Sequence, residues 1–369
     1  MRQFSSSAAH AIHAEMNRLR REAKRIYNFG SGSPSLPNHP RVLEEVEKTV
    51  KGQISPYAPV GGLEEVREAA AHWMNQRYGS QYGIDHTIVT CGGKFALFAA
   101  LMVLLEPGEE VVFGAPYWPS YPDMIRISGG IPKPISVNEK TDWKITPEDL
   151  KRNAGKKTRV FLFNNSTNPT GAHYSKEEVA ALLQTAHALG LWIISDEVCS
   201  ELVYDNAKFI SCAAFPEYRS RMVVIESCSK NFAMGGYRVG FALAEVETIQ
   251  SMIAVQSQTT TGTSFISQRA AFGALHHARD VSMQVRRTMD QRRKLFFYTY
   301  NQLFQTSFKP VASGLYFFAK VSGSCEDILR RAHVALLPGD AFGLEGYARF
   351  SFTESEEEIV EGLKAFRKF

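Results

Sequence analysis

The 369 residues contain no apolar run approaching the roughly twenty that a membrane-spanning helix needs, and no signal-peptide core. They also lack a basic tract: 42 Lys and Arg stand against 38 Asp and Glu, spread along the chain for a formal charge of +4. We therefore expect no nucleic-acid footprint and no membrane surface, and read local positive charge as serving a small anionic ligand. Cysteine is scarce. Cys91, Cys199, Cys212, Cys228 and Cys325 are odd in number, with no C-x-x-C pair and no metal-ligand spacing. That pattern predicts free thiols in a reducing compartment, by default the cytoplasm, without a disulfide framework or a metal site. Internal repeats are absent as well. The opening MRQFSSSAAHAIHAEM is Ser/Ala-rich and poor in acid, as a transit peptide would be, yet Glu15 and the helical pattern after it argue against one.

With 44% hydrophobic and 22% charged residues, the chain has material for a large core in one or two domains. Its pattern alternates helices with short apolar strands. Residues 12–25 predict a basic amphipathic helix, and FGSGSPSLPNHP (29–40) a Gly/Pro-rich hinge or boundary. Helices are expected at 42–51, 63–78, 94–105, 118–127 and 176–189, and strands at 87–90, 110–113, 158–163, 191–195, 222–226 and 239–244. Runs such as VFLF and WIIS do not alternate, so both faces of their sheet should be covered. This predicts an α/β layered domain with helices on both faces and functional residues on loops at strand ends. Beyond about residue 278 comes a long Arg-rich helical stretch, then strands at 315–320 and 348–352 around a helix at 326–331, and a terminal helix. A smaller α+β domain fits this texture. The expected division is 1–38 as an N-terminal segment joining the small domain, 39–278 as the large domain and 279–369 as the small C-terminal domain.

Chemistry concentrates in a few segments. In IESCSKNFAMGGYRVGF, Lys230 directly follows an apolar strand, with Ser227, Ser229 and Arg238 supplying hydroxyls and a guanidinium suited to phosphate. A lysine there is either an exposed loop residue or a nucleophile held in a pocket. The second role requires an amine freed of its proton, whereas free lysine titrates at about 10.4; burial and a neighbouring cation such as Arg238 would lower that. In LFNNSTNPTG, Asn168 either bonds a ligand at the sheet edge or forms an Asx-type turn before Pro169. In LWIISDEV, Asp196 ends an apolar strand, where a carboxylate must cap a helix or meet a cation such as a protonated pyridine nitrogen. In IVTCGGKFALFAAL, the N–H groups of Gly93 and Lys94 begin a helix and form an anion cradle. The spacing of a nucleotide P-loop is missing there. Trp118 in APYWPSY offers a flat surface for ring stacking or for core packing. Arg349 in GYARFSF sits among apolar neighbours, where it seeks a carboxylate or a surface salt bridge.

Taken together and in order, YAPVGGLEEVREA, VTCGGKFALF, PYWPSYPDM, NNSTNPTG, SDEV, SCSKNFAMGGYRVGF and ARFSFTES resemble the motifs of class I/II aminotransferases, particularly the bacterial-type aspartate aminotransferase branch. The resemblance spans roughly residues 18–368. It implies the pyridoxal-phosphate-dependent transferase fold type I, a three-layer, mostly parallel sheet with helices on both faces plus the smaller α+β domain. It also implies pyridoxal 5'-phosphate as cofactor and a homodimer with shared active sites. Under it, Lys230 would carry the cofactor as a Schiff base and act as the proton-moving base, and Asp196 would pair with the ring nitrogen. Gly93, Lys94, Ser227 and Arg238 would bind the phosphate, with Tyr57 reaching it from the neighbouring subunit. Trp118 would stack on the ring, Asn168 would bond its phenolate oxygen, and Arg349 would clamp the substrate α-carboxylate with help from Gly32 and Asn168.

One position departs from the family's pattern: the tyrosine usual three residues after the aspartate is Cys199 here, a weak donor. The phenolate is then expected to rely mainly on Asn168. Lys94 resembles a ligand for the distal carboxylate of a dicarboxylic substrate, which points to aspartate or glutamate as donor and a 2-oxo acid as acceptor. An aromatic amino donor is the rival reading, and β-eliminating C–S lyase chemistry is the alternative on the same fold. A regulator with an attached DNA-binding module is disfavoured, because the residues before Ile12 are too few to encode that module.

Overall fold

The computed structural model describes residues 8–53 and 56–369. Residues 1–7 of the Ser/Ala-rich opening lie outside the described residues. The first helix, α1 (Ala8–Arg21), stops four residues before its predicted end, and the chain then turns through Ala23, which has a φ of 58°. A short strand β1 (Tyr27–Asn28) follows, and after the Gly/Pro-rich connector come α2 (Pro40–Lys51) and α3 (Glu64–Tyr78).

The sheet strands come next: β2 (Thr87–Thr90), β3 (Glu110–Ala115), β4 (Ile131–Ser136), β5 (Thr158–Asn164), β6 (Trp192–Asp196), β7 (Met222–Ser227) and β8 (Gly240–Leu243). Interleaved with them are α4 (Gly93–Leu104), α5 (Ser120–Ile127), α6 (Pro147–Asn153), α7 (Lys176–Ala188) and the single turn α8 (Cys228–Asn231). The helices α9 (Val246–Ser257) and α10 (Phe265–His276) complete this body. The seven strands lie in the order β2-β8-β7-β6-β5-β3-β4, parallel except for β8, which runs against both of its neighbours.

The non-alternating strands are explained by what covers them. Phe161 and Phe163 of β5 enter a core shared with α3, α7 and α10, whereas Val160 and Leu162 enter a second core shared with α4, α5 and α9. Met222 and Val224 of β7 divide from Val223 and Ile225 in the same way. An apolar residue at every position is what a strand buried on both faces requires.

The sequence reading missed β4, because IPKPIS contains two prolines. The structure makes them harmless. β4 is an outer strand, and its odd residues face β3: the Ile131 N–H donates to Glu109 O at 2.8 Å. Residues two apart point the same way, so Pro132 and Pro134 face outward and forfeit no ladder bond.

A second body follows. The 27-residue α11 (Ala278–Phe304) leads to β9 (Tyr316–Lys320), α12 (Cys325–Ala332), β10 (Val334–Ala335), β11 (Leu337–Pro338), β12 (Tyr347–Ser351) and α13 (Glu356–Arg367). The antiparallel trio β11-β12-β9 packs on α11 and α13 through Phe296, Phe297, Phe317 and Phe350. The N-terminus joins this body. β1 pairs in parallel with β10, and Met16 and Leu19 of α1 pack on Leu329 and Ala335.

Candidate active site

Strands β2, β3, β5, β6 and β7 all point their C-terminal ends to one side, so the loops leaving them converge on one cavity of about 610 Å³. Every predicted site residue except Tyr57 lines it. Tyr57 stands 94% exposed in a separate surface recess beside Thr260 and Phe265.

The floor of the cavity begins with Asp196, the last residue of β6, which is 7% exposed. Its Oδ2 accepts a 2.6 Å hydrogen bond from the Tyr121 hydroxyl, and its Oδ1 takes only a long bond of 3.4 Å from the Val198 N–H. Burial raises the carboxyl above its ordinary range, while these two donors oppose that shift. No cationic side chain pairs with Asp196 among the described residues. A cationic ligand atom facing it would favour the charged form. Asn164 ties the neighbouring strand ends together: its Nδ2 donates to Asp196 O and its Oδ1 accepts from the Asn168 N–H, both at 2.9 Å.

Lys230 lies in α8, immediately after β7. Burial lowers its amine to about 8; nearby Arg349 and Arg238 act in the same direction, and Cys199 opposes them. The expected cation effect is therefore present but secondary to desolvation, and Arg349 contributes to it as well as Arg238. The amine donates to Gly32 O at 2.5 Å, so Gly32 reaches the lysine through its carbonyl. Cys199, 7% exposed, is pushed up to about 12 by burial and stays a neutral thiol.

At one end of the cavity α4 starts at Gly92, with a φ of 80° and no side-chain cap. Its first N–H groups are thus open to an anion. A side chain at Gly92 would strike the Arg238 guanidinium, and one at Gly240 would strike the Gly93 backbone, so only glycine permits this approach. Facing the helix start, Ser227 Oγ donates to Ser229 Oγ at 2.9 Å and Arg238 stands beside Ser229 at 3.5 Å. Lys94 is exposed, with its amine 4.8 Å from the Trp118 ring centroid; desolvation and Arg238 lower its proton affinity. Trp118 packs edge-on against Tyr121 at 5.5 Å.

At the other end Arg349 rises from β12, 4% exposed. It donates to Asn168 Oδ1 at 3.1 Å and to Gly30 O at 2.9 Å, and its Nε has no partner among the described residues. The carbonyl that orients the arginine is therefore that of Gly30, while Gly32 serves Lys230. With Asn168 Oδ1 engaged, its amide N–H groups are directed to other acceptors. Ile12 and Met16 of α1 and Leu337 of β11 add apolar surface to the cavity lining.

Three contributors escaped the sequence reading. Tyr121, between Ser120 and Pro122, and Tyr316, in the apolar run LYFFA, are not singled out as site residues by any motif. Asn164 is the first of two adjacent asparagines whose roles differ: Asn165 turns away to bond Ile210 O at 3.1 Å. The W-x-x-Y spacing was an available signal for Tyr121, since residues three apart meet on a helical turn.

A cavity with an anion cradle at one end, a buried carboxylate on its floor, a desolvated lysine and a fixed arginine is suited to an anionic ring cofactor and a carboxylate substrate. The comparisons agree. The family model described as aminotransferase class I and II matches residues 24–366. An aspartate aminotransferase of Streptomyces avermitilis is 31% identical, with 99% of this chain and 94% of that protein aligned. The aspartate/prephenate aminotransferase of Thermus thermophilus is 31% identical over 98% of this chain and 95% of its own. The structure of the Thermus thermophilus aspartate aminotransferase with maleate superposes with a TM-score of 0.93 at 30% identity, covering both chains fully. The chain belongs to the class I and II aminotransferases, with the fold type I architecture, and is an amino-group-transferring enzyme.

Proposed function

We propose that the protein is a pyridoxal-5'-phosphate-dependent aminotransferase that takes the amino group of aspartate, or another dicarboxylic L-amino acid, and delivers it to a 2-oxo acid. The observation that carries this reading is that one cavity holds both a desolvated Lys230 amine and a buried Asp196 carboxylate with no cationic partner among the described residues. The α4 N-terminus, Ser227, Ser229 and Arg238 would hold the phosphate, and Trp118 would cover the ring. Asp196 would face the ring nitrogen, and Lys230 would anchor the group. When bound, pyridoxal phosphate supplies an electron sink for the pair left behind as a proton leaves the substrate α-carbon. Lys230, with an amine midpoint of about 8, takes that proton and returns it. Asn168, oriented by Arg349, donates to the ring oxygen in place of the weak donor Cys199. Arg349 fixes the α-carboxylate and Lys94 receives the distal one.

The apolar lining supplied by Ile12, Met16 and Leu337 supports a second, larger acceptor or donor class, and several relatives are named aspartate/prephenate aminotransferases. We further propose a cytoplasmic homodimer in which Tyr57 of one subunit completes the phosphate site of the other.

Reconstitution with the cofactor followed by an amino-acid panel tests the reading. Wild type is expected to develop a visible chromophore that borohydride fixes at Lys230, to convert aspartate with a 2-oxo acid acceptor, and to release no pyruvate and ammonia from a cysteine-type substrate without one. In Lys94→Ala, kcat/KM for aspartate should fall at least ten times more than that for alanine or phenylalanine. A protein that gains no chromophore, or no reducible adduct at Lys230, would refute the proposal.

A further inference from the structure

Tyr316 enters the cavity from β9 and has no part in the reading above. The residue is only 3% exposed, a setting in which a hydroxyl normally has a partner. Among the described residues it hydrogen-bonds to none, and it opens into the cavity. The Arg349 guanidinium stacks on its ring, 4.1 Å from the centroid, and both residues line the cavity. The hydroxyl end points at Gly32: a β-carbon built there would stand 2.5 Å from it. Gly32 does not adopt a positive φ, so the bare α-carbon serves the tyrosine and not the backbone. Burial pushes the phenol up to about 12, which leaves it a neutral donor through the physiological range.

We propose that Tyr316 is a second ligand for the substrate α-carboxylate, its hydroxyl donating to one oxygen while Arg349 neutralises the charge. The inference rests on the amino-acid reading of this site. An anion drawn to Arg349 comes within reach of a donor already desolvated and held by the stacked guanidinium, so little ordering cost remains. The rival role, as a partner of the Lys230 amine, is filled by the Gly32 carbonyl. A neutral donor beside the arginine adds direction: it rewards a carboxylate and gives nothing to a ligand without one.

The experiment uses the cofactor-loaded enzyme and maleate, a dicarboxylate without an amine, as the calorimetric probe. Tyr316→Phe removes one oxygen and keeps the ring under Arg349. It is expected to weaken maleate binding about 10- to 100-fold, the usual range for a hydrogen bond to a charged group, and to raise KM for aspartate more than it lowers kcat. The midpoint of the cofactor-free Lys230 amine, read by aldehyde trapping, should stay near 8. Gly32→Ala provides a second route, since it displaces the hydroxyl: it should weaken maleate strongly in wild type and much less in the Tyr316→Phe background. Unchanged maleate affinity in Tyr316→Phe overturns the inference, as does a shifted Lys230 midpoint, which would assign the hydroxyl to the amine. Wild type that neither takes up the cofactor nor binds maleate overturns the functional reading itself.

Discussion

Lys230 shows how one residue acquires its chemistry from its surroundings. In the unfolded chain its amine titrates near the ordinary 10.5; in the fold, burial brings it to about 8. The sign follows directly. Below about pH 8 both states hold the proton and the fold bears the full desolvation cost. Between about 8 and 10.5 the folded amine is already free, and that cost is relieved as pH rises. The cofactor-free protein should therefore add a small aldehyde at Lys230, measured by borohydride trapping and mass spectrometry, with a midpoint near pH 8. A midpoint near 10.5 would mean that the amine is solvated. Most of the site could be read from polar residues that interrupt apolar runs, as with Asp196 after WIIS or Lys230 after MVVIES. Tyr121 was legible only through the W-x-x-Y spacing, and Tyr316 was not legible, because a phenol within GLYFFA looks like core until the fold shows where its oxygen points.

At the scale of elements, periodicity found the strands buried on both faces and the long α11, because those signals are local. It missed β4, whose identity as a strand depends on lying at a sheet edge, and it missed α6, α9 and α10. The end of α1 was overextended past the left-handed turn at Ala23. We propose that the division into 1–38, 39–278 and 279–369 reflects two separately packed bodies. α11 joins them: Ala278 and Val281 belong to the first core, whereas Val285 and Phe296 belong to the second. The joint is reinforced by Arg293, which is fully buried. It donates to Asp205 at 2.9 Å and Asp290 at 2.7 Å, with the Tyr204 ring beneath it at 4.5 Å. Asp205 belongs to the segment after β6, so this cation ties α11 to the strand that carries Asp196. Arg293→Ala should cost about 2–5 kcal/mol in denaturant unfolding, the range for truncating a large buried side chain, because Asp205 is 58% exposed and Asp290 25% exposed and both can turn to solvent. A loss below 1 kcal/mol would show that the joint is held elsewhere.

For the whole molecule, the cavity belongs to neither body alone: Lys230 and Asp196 come from the first, and Arg349 and Tyr316 from the second. The proposed dimer adds Tyr57 from the partner. Mixing Tyr57→Ala with Lys230→Ala subunits, each deficient by itself, tests this in solution. If Tyr57 acts across the interface, each hybrid has one site with both residues intact, and the mixture should exceed the summed activity of its parents; a mixture that merely averages them would place Tyr57 within its own subunit. The outward-facing prolines of β4 bear on assembly too. A strand approaching from that side finds carbonyls but no donors at positions 132 and 134. At the opposite flank, β2 is already engaged: the Val89 N–H donates to Gly61 O and Val89 O accepts from Gln256, both at 2.9 Å. Both flanks of the sheet are thus blunted, and a concentrated solution of this enzyme is expected to resist growth into fibres by edge-on stacking.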